Sequence, residues 1–501
     1  MFRERVRMAM ACFAGLSTAG LTWLVLRHEP LPLPDARSAA LATVAFCLFA
    51  IVATLSVHSL PALSFPSLFL AVTFVFTCSP LILFLLRGDE AFVSWEWVDM
   101  PSVLAAMTVI VLAYSAFLFG AMLVRTPTPV TIRPAPVDAG PRDTYELPLR
   151  QVGLALYVIA LLVIAGYTLT GGALSHAIQG GYSEFHGAKR AGEVSQIVGA
   201  SLSRLLPWSV LILAAVSRDR RSRKLVLLLM IPALAIMLGI GDRSGPLALM
   251  VVAATGLWLR GARVGWGRAL AVGVAIAFLM PTVLNLRTVP VGEWSPDVFE
   301  AAATNQIEAT NTYRSDLLGG FLLSTSSSYQ TLMATVKAVP DQERYHYGSD
   351  YLSSLVVALP FRSVLFGPLD IDLRSFPPSQ WVLTYLHPGR NAGPGFLQLA
   401  EAYLQFGALG VLVLYVVLGW GLVRLWRSVS VHARNVRLLA LSLIVMSETL
   451  IWVRNSSALG VRALAWGWLL VYVVPAILER TRRPSARGAE RPAPLLRGSG
   501  A

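Results

Sequence analysis

The residues with most chemistry to offer lie in one stretch, GRNAGPGFLQLAEAYLQFGALG at 389–410. It brings Arg390, Asn391 and Glu401 to the point where polar sequence gives way to a long apolar run. A guanidinium stays charged at any working pH and grips a phosphate group through two parallel hydrogen bonds. A carboxylate at the start of an apolar helix is either paired with an arginine or poised as a base for a sugar hydroxyl. His387, just before Pro388, is suited to the same proton transfer. Gly389, Gly393, Pro394 and Gly395 keep the first half of the stretch out of regular helix. Its second half begins a helix that carries Glu401 to the edge of an apolar layer.

The elements that position these groups are membrane spans. The chain has 501 residues, is 55% hydrophobic and 14% charged, and has a mean hydropathy of +0.63. Soluble domains carry about 25% charged residues, so the fold class is an all-α, polytopic integral membrane protein. Apolar windows at 8–26, 38–57, 64–86, 101–124, 151–170, 197–216, 225–241, 244–260, 268–285, 404–424, 436–453 and 463–479 predict about twelve transmembrane helices. The basic start MFRERVR and the run behind it read as an uncleaved first span. Cys12, Cys47 and Cys78 all fall in apolar runs, which argues against a disulfide framework or a thiolate metal site.

Charge sets the orientation. Arg218, Arg220, Arg221, Arg223 and Lys224 share one loop, Arg260, Arg263 and Arg268 the next, and Arg424, Arg427, Arg434 and Arg437 another. Six more arginines follow Glu479. Basic loops stay in the cytoplasm, so both termini are expected there, and the net charge of +13 needs no nucleic acid to explain it. The expected organisation is a four-helix membrane segment (1–124), a Pro-rich cytoplasmic linker (125–150), central spans (151–285) and one large exported, periplasmic loop (286–396). C-terminal spans (397–479) and a disordered cytoplasmic tail (480–501) complete it. The loop is expected to hold one or two helices lying on the membrane surface, one of them over 297–318.

This orientation leaves Arg243, Arg287, Arg314, Arg362, Arg374, Arg390, Arg454 and Arg462 on the exported face. Arginine at a span end often serves as a snorkelling anchor. Arg243 stands out because it sits in the turn GIGDRSG (239–245), where glycine lets a ligand approach the backbone, and Arg454 because it opens the short turn between the last two spans. Pyrophosphate on a lipid carrier would bring its charge to this depth. His346, His176 and His186 read as ordinary loop residues, and Glu448 as a buried carboxylate with either a functional or a helix-pairing role. Asp370 and Asp372 mimic a metal-holding pair, but no further ligand clusters near them, so no metal is expected. Exported aromatics including Trp381 and Tyr385 are suited to stack on sugar rings or to form an interfacial belt. P-loop, dinucleotide and nucleophile-elbow motifs are missing from the sequence.

Taken together, the Gly241–Ser244 turn, Tyr347-Gly348-Ser349-Asp350-Tyr351, Ala358-Leu359-Pro360, Gly395-Phe396 and Glu401-Ala-Tyr-Leu-Gln-Phe-Gly407 with Gly410 are familiar. Over roughly 150–460 the chain resembles the Wzy-type O-antigen or oligosaccharide repeat-unit polymerases. The resemblance implies a GT-C-like, cofactor-free and metal-independent glycosyltransferase of the bacterial inner membrane. Such an enzyme uses undecaprenyl-pyrophosphate-linked oligosaccharide as substrate, among membrane lipid, with a flippase and a chain-length regulator as partners. Arg243 and Arg390 match the family's pyrophosphate-holding arginine positions and Glu401 its acidic one. The candidate pyrophosphate- and glycan-binding residues are thus Arg243, Arg390, Asn391, Tyr403 and Arg454, and the candidate catalytic residues Glu401, Arg390 and His387. An O-antigen ligase-like transferase and a non-enzymatic transporter of lipid-linked glycan remain as alternatives.

Overall fold

The computed structural model describes residues 2–27, 35–88, 99–125, 143–169, 204–239, 244–262, 295–303, 328–358, 395–432 and 434–482, with isolated positions between them. Every regular element among them is helical. The helices are α1 (Phe2–Leu26), α2 (Ala36–His58), α3 (Phe65–Arg87), α4 (Met100–Leu123), α5 (Glu146–Leu169), α6 (Leu205–Val216), α7 (Arg220–Gly239) and α8 (Ser244–Leu259). After them come α9 (Pro296–Ala303), α10 (Tyr329–Ala338), α11 (Ser349–Ala358), α12 (Gln398–Val431), α13 (Val436–Trp452), α14 (Ala458–Trp468) and α15 (Val474–Arg482). Among the described residues, 7 helices are long and apolar enough to cross a membrane: α1 to α5, α12, and α14 continued into α15. The window at 268–285 lies outside the described residues, and of 197–216 only α6 is described.

The helices start and stop where local chemistry dictates. Asp35, Ser64, Asp99 and Asn435 each accept from a backbone N–H of the first turn they precede. Pro80 and Pro232 sit inside α3 and α7, as a bundle with satisfying neighbours allows. Pro475 follows a π-helical turn at Leu469–Val473, because a proline ring displaces the carbonyl four residues back.

α4 is the most enclosed span and packs against α1, α2 and α12. Glycine brings α4 and α12 together. A Cβ on Gly120 would stand 2.1 Å from the Val416 carbonyl oxygen, and one on Gly419 would stand 2.1 Å from that of Phe117. This backbone-to-backbone approach lets dispersion bind helices in lipid. Beside it Phe69 stacks on Phe117, and Trp426 packs on Phe65 and Trp258. Leu16, Leu41, Val52, Leu162, Leu228, Val413, Val417 and Leu464 are exposed, an apolar outer surface suited to lipid.

Contacts sort the helix ends into two sets. At one end Arg7 donates to the Met122 carbonyl, Arg427 bonds His58 and the Arg125 carbonyl, and Asp143 accepts from the Val436 amide. Glu146 pairs there with Arg218 and Arg260. Lys337 pairs with Asp99 at 2.7 Å, and Arg204 with Glu448 at 3.4 Å, at the opposite end. α14 and α15 run from that end back towards Arg437, which lies over Tyr472. The start of α1 and the end of α15 therefore point the same way, as an even number of crossings requires.

The large loop contributes a helix to the bundle itself. Tyr329, Thr331, Leu332, Met333 and Ala338 of α10 are buried, and it packs against α3, α4 and α12. Its threonines return their hydroxyls to carbonyls of Ser328 and Thr331, so burial leaves them satisfied. The helix expected over 297–318 is described only as α9, the remainder lying outside the described residues. α12 begins at Gln398, earlier than its apolar window, and breaks at Phe406 and Gly407, where φ is −143° and +60°. Glu401 thus rides a short helical segment before the spanning one.

Candidate functional site

The site is built on the turn that joins α13 to α14. α13 ends because Asn455 donates its side-chain amide to the Ile451 carbonyl, satisfying a group that the helix leaves open. The extended segment at 395–398 runs alongside this turn. The Phe396 amide donates to the Arg454 carbonyl and the Gln398 amide to that of Val453, each at 3.0 Å. α10 ties in from the other side, since the Thr331 hydroxyl accepts from the Leu397 amide at 3.1 Å.

Arg454 lies across this junction. Its Nε donates to the Ser328 hydroxyl at 2.9 Å, and its guanidinium carbon stands 5.6 Å from the centre of the Phe76 ring. Gly395 makes room for it. At φ +84°, a Cβ there would meet the Arg454 carbonyl at 2.9 Å and its side chain at 3.0 Å, so only glycine fits.

Glu401 is fully buried and its partners are not arginines. Trp452 Nε1 donates to Oε2 at 2.9 Å, the Ser457 hydroxyl to Oε1 at 2.7 Å, and the Ser457 amide to both oxygens at 3.1 and 3.0 Å. A carboxylate accepts all of these, and together they hold the two ends of the Arg454 turn. Tyr403, one helical turn from the break, is also buried, with its ring edge-on to Tyr345 at 6.4 Å. Glu448 accepts from Trp208 Nε1 at 2.9 Å and pairs with Arg204, which gives that carboxylate a helix-joining role.

A second polar group sits beside the α12 break. The His346 amide donates to the Leu404 carbonyl and the Tyr347 amide to that of Gln405, each at 3.0 Å. Asp350, in the first turn of α11, faces His346 Nδ1 at 2.9 Å. Gln405 clamps the pair: its Nε2 donates to Asp350, and its Oε1 accepts from the Gly348 amide at 2.9 Å. The hydrogen bond to Asp350 raises the imidazole above its ordinary pKa, against the effect of burial and helped by the charges of Asp350 and Glu343. One turn along α11, Ser354 bonds the Ser457 hydroxyl at 3.0 Å, joining this group to the Glu401 and Arg454 turn.

Of the residues singled out in the sequence, Glu401 and Arg454 therefore come together at one turn, while Tyr403 packs on Tyr345. Arg243, His387, Arg390 and Asn391 lie outside the described residues, as do Arg287, Arg314, Arg362, Arg374, His176, His186, Asp370 and Asp372. The sequence treated His346 as an ordinary loop residue. The available signal was an aspartate four residues on, across a glycine, at the start of a helix.

A bundle of antiparallel apolar helices with its buried polar network at one end defines a multi-pass membrane protein. The chain belongs to a family of such proteins: the family model for O-antigen polysaccharide polymerase Wzy matches residues 36–481. This membership makes it a polysaccharide polymerase. No curated protein and no solved structure gives a significant match.

Proposed function

We propose that this protein is a GT-C-like glycosyltransferase that joins undecaprenyl-pyrophosphate-linked oligosaccharide repeat units on the periplasmic face of the inner membrane. A hydroxyl of the acceptor unit attacks the anomeric carbon of the donor glycan. The bond from that carbon to the pyrophosphate oxygen breaks, the electron pair leaves with the phosphate, and the hydroxyl proton passes to a base. Pyrophosphate departs readily once its developing charge is neutralised, and preorganised guanidinium groups supply that stabilisation. Arg454 is the described residue assigned this role, with Arg243 and Arg390 as its companions and Asn391 and Tyr403 as glycan-side groups. Glu401 acts as a positioning residue for the Arg454 turn, and His387 belongs to the same exported stretch.

The observation that carries this reading is the seat of Arg454. An arginine is fitted against Gly395 and fixed by Ser328 at the end of the bundle opposite the arginine-rich loops. The positive-inside rule puts those loops in the cytoplasm, and with them both termini, about twelve spans in all and the domain limits given above. A flippase would deliver the repeat units and a chain-length regulator would act on the product. Complementation of a deletion in the producing strain tests the proposal. Arg454→Ala is expected to leave single repeat units with normal amounts of protein in the membrane, and Arg454→Lys to restore only part of the polymer. Polymer of wild-type length in Arg454→Ala refutes the assignment, and full-length chains stranded on the carrier lipid point to a ligase.

A further inference from the structure

The loop at 345–350 holds side chains that the reading above does not use. His346 is partly exposed, and its Nε2 makes no hydrogen bond among the described residues. Its other nitrogen faces Asp350, which is nearly buried and clamped by Gln405. With the carboxylate accepting from Nδ1–H, the neutral ring carries its lone pair on Nε2, turned away from the clamp. Tyr347 follows at φ +48°, a region that aromatic residues seldom occupy, and its side chain is 70% exposed. Gly348 continues the turn at φ +87°. The chain thus holds a strained turn in which an exposed tyrosine, its ring at an edge-on angle to Tyr345 at 6.1 Å, directly follows an oriented imidazole, outside the spanning segments.

A purely structural pair at a helix start needs neither feature. Four separate bonds hold this one: two backbone bonds to α12, the Gln405 clamp on Asp350, and the Gly348 amide on Gln405. Gly407 completes the seat, because a Cβ there would meet the Tyr345 hydroxyl at 2.8 Å. The result is a base held by an orienting carboxylate, which is the arrangement that general-base catalysis needs.

Resting on the glycosyl-transfer reading, we propose that His346 is the base that takes the proton from the attacking sugar hydroxyl, with Asp350 as its positioning residue and Tyr347 as the surface on which the acceptor sugar stacks. In the transfer step the acceptor oxygen bonds to the donor's anomeric carbon, and the carbon–oxygen bond to pyrophosphate breaks with its electrons. The hydroxyl proton passes to Nε2 and then to water. Asp350 keeps its contact with Nδ1 throughout and stabilises the imidazolium. Arg454 faces the leaving group from the far side of the Ser354–Ser457 link, so base and cation belong to one rigid network.

The test uses membranes containing the full-length chain, supplied with lipid extract from the producing strain lacking the gene, and measures the rate and length of polymer. His346→Gln is expected to slow elongation about 100-fold or more, the usual contribution of a general base, while the protein still reaches the membrane folded. Added imidazole is expected to restore part of the rate of His346→Gly, which a structural role would not give. Among the described residues the charged groups facing His346 are Asp350 and Glu343. Asp350→Asn is therefore expected to move the acid limb of the rate profile to lower pH as the imidazole becomes less basic. A His346→Gln protein within threefold of wild type, or a folded His346→Gly with no rescue, overturns the assignment while wild-type elongation keeps the polymerase reading. No elongation by the wild type overturns both.

Discussion

Replacing Glu401 by glutamine keeps its size and removes its charge, and so separates a positioning role from proton transfer. With the new amide nitrogen in the place of Oε1, the remaining oxygen still accepts from Trp452 Nε1 and the Ser457 amide. The Ser457 hydroxyl rotates to accept from the new NH2. The loss is then mainly the charge assistance, about 1–2 kcal/mol. Glu401→Ala is harsher. The Ser457 hydroxyl can turn to Ser354, but Trp452 Nε1 and the Ser457 amide are stranded. One buried and one half-buried donor at up to about 1–3 kcal/mol each set an upper bound of roughly 6 kcal/mol. Thermal unfolding in detergent and the polymer ladder from complemented cells read the two effects. Glu401→Gln is expected to unfold slightly earlier and elongate within about fivefold of wild type, whereas Glu401→Ala loses both folded protein and polymer. A group that takes the proton in the transition state contributes about 100-fold to 10,000-fold. Glu401→Gln with wild-type stability and at least a 100-fold loss of rate would therefore refute the positioning role.

Gly120→Ala and Gly419→Ala each force a gap of 2.1 Å open to at least 3.0 Å against a carbonyl of the facing helix. Each is expected to destabilise the protein by about 1–3 kcal/mol, and unfolding at the wild-type temperature would count against the close packing of α4 on α12. His346 titrates above its ordinary value of 6.5 in the folded chain, so its pairing with Asp350 contributes fully below pH 6.5 and is lost as pH rises through the raised value. Unfolding temperature is accordingly expected to fall more steeply between pH 6 and 8 in wild type than in His346→Gln. Equal slopes would show that the pair does not titrate with folding.

What the sequence determines by itself here is whatever depends on sums over a local window. Hydropathy over about 20 residues marks the spans, and the bias of arginine towards alternate loops gives the expected direction of the chain. Glu401 and Arg454 were each legible as candidates because each stands at a span boundary, where a charged side chain is unusual. What each of them touches was not legible. Glu401 is 56 residues from Ser457, and Arg454 is 126 residues from Ser328. Whether a carboxylate meets an arginine or an indole and a serine depends on how helices distant in sequence pack, and hydropathy carries no record of that. α10 matched no apolar window because its threonines lower its hydropathy, yet their hydroxyls fold back onto carbonyls of their own turn and let it enter the bundle. The same holds at the α12 break: an apolar run reads as continuous helix, and only the Tyr345 hydroxyl pressed against Gly407 and the clamp of Gln405 on Asp350 place an oriented histidine there. Tertiary packing decided those partners because each bond needs two surfaces to arrive together, and neither segment specifies the other.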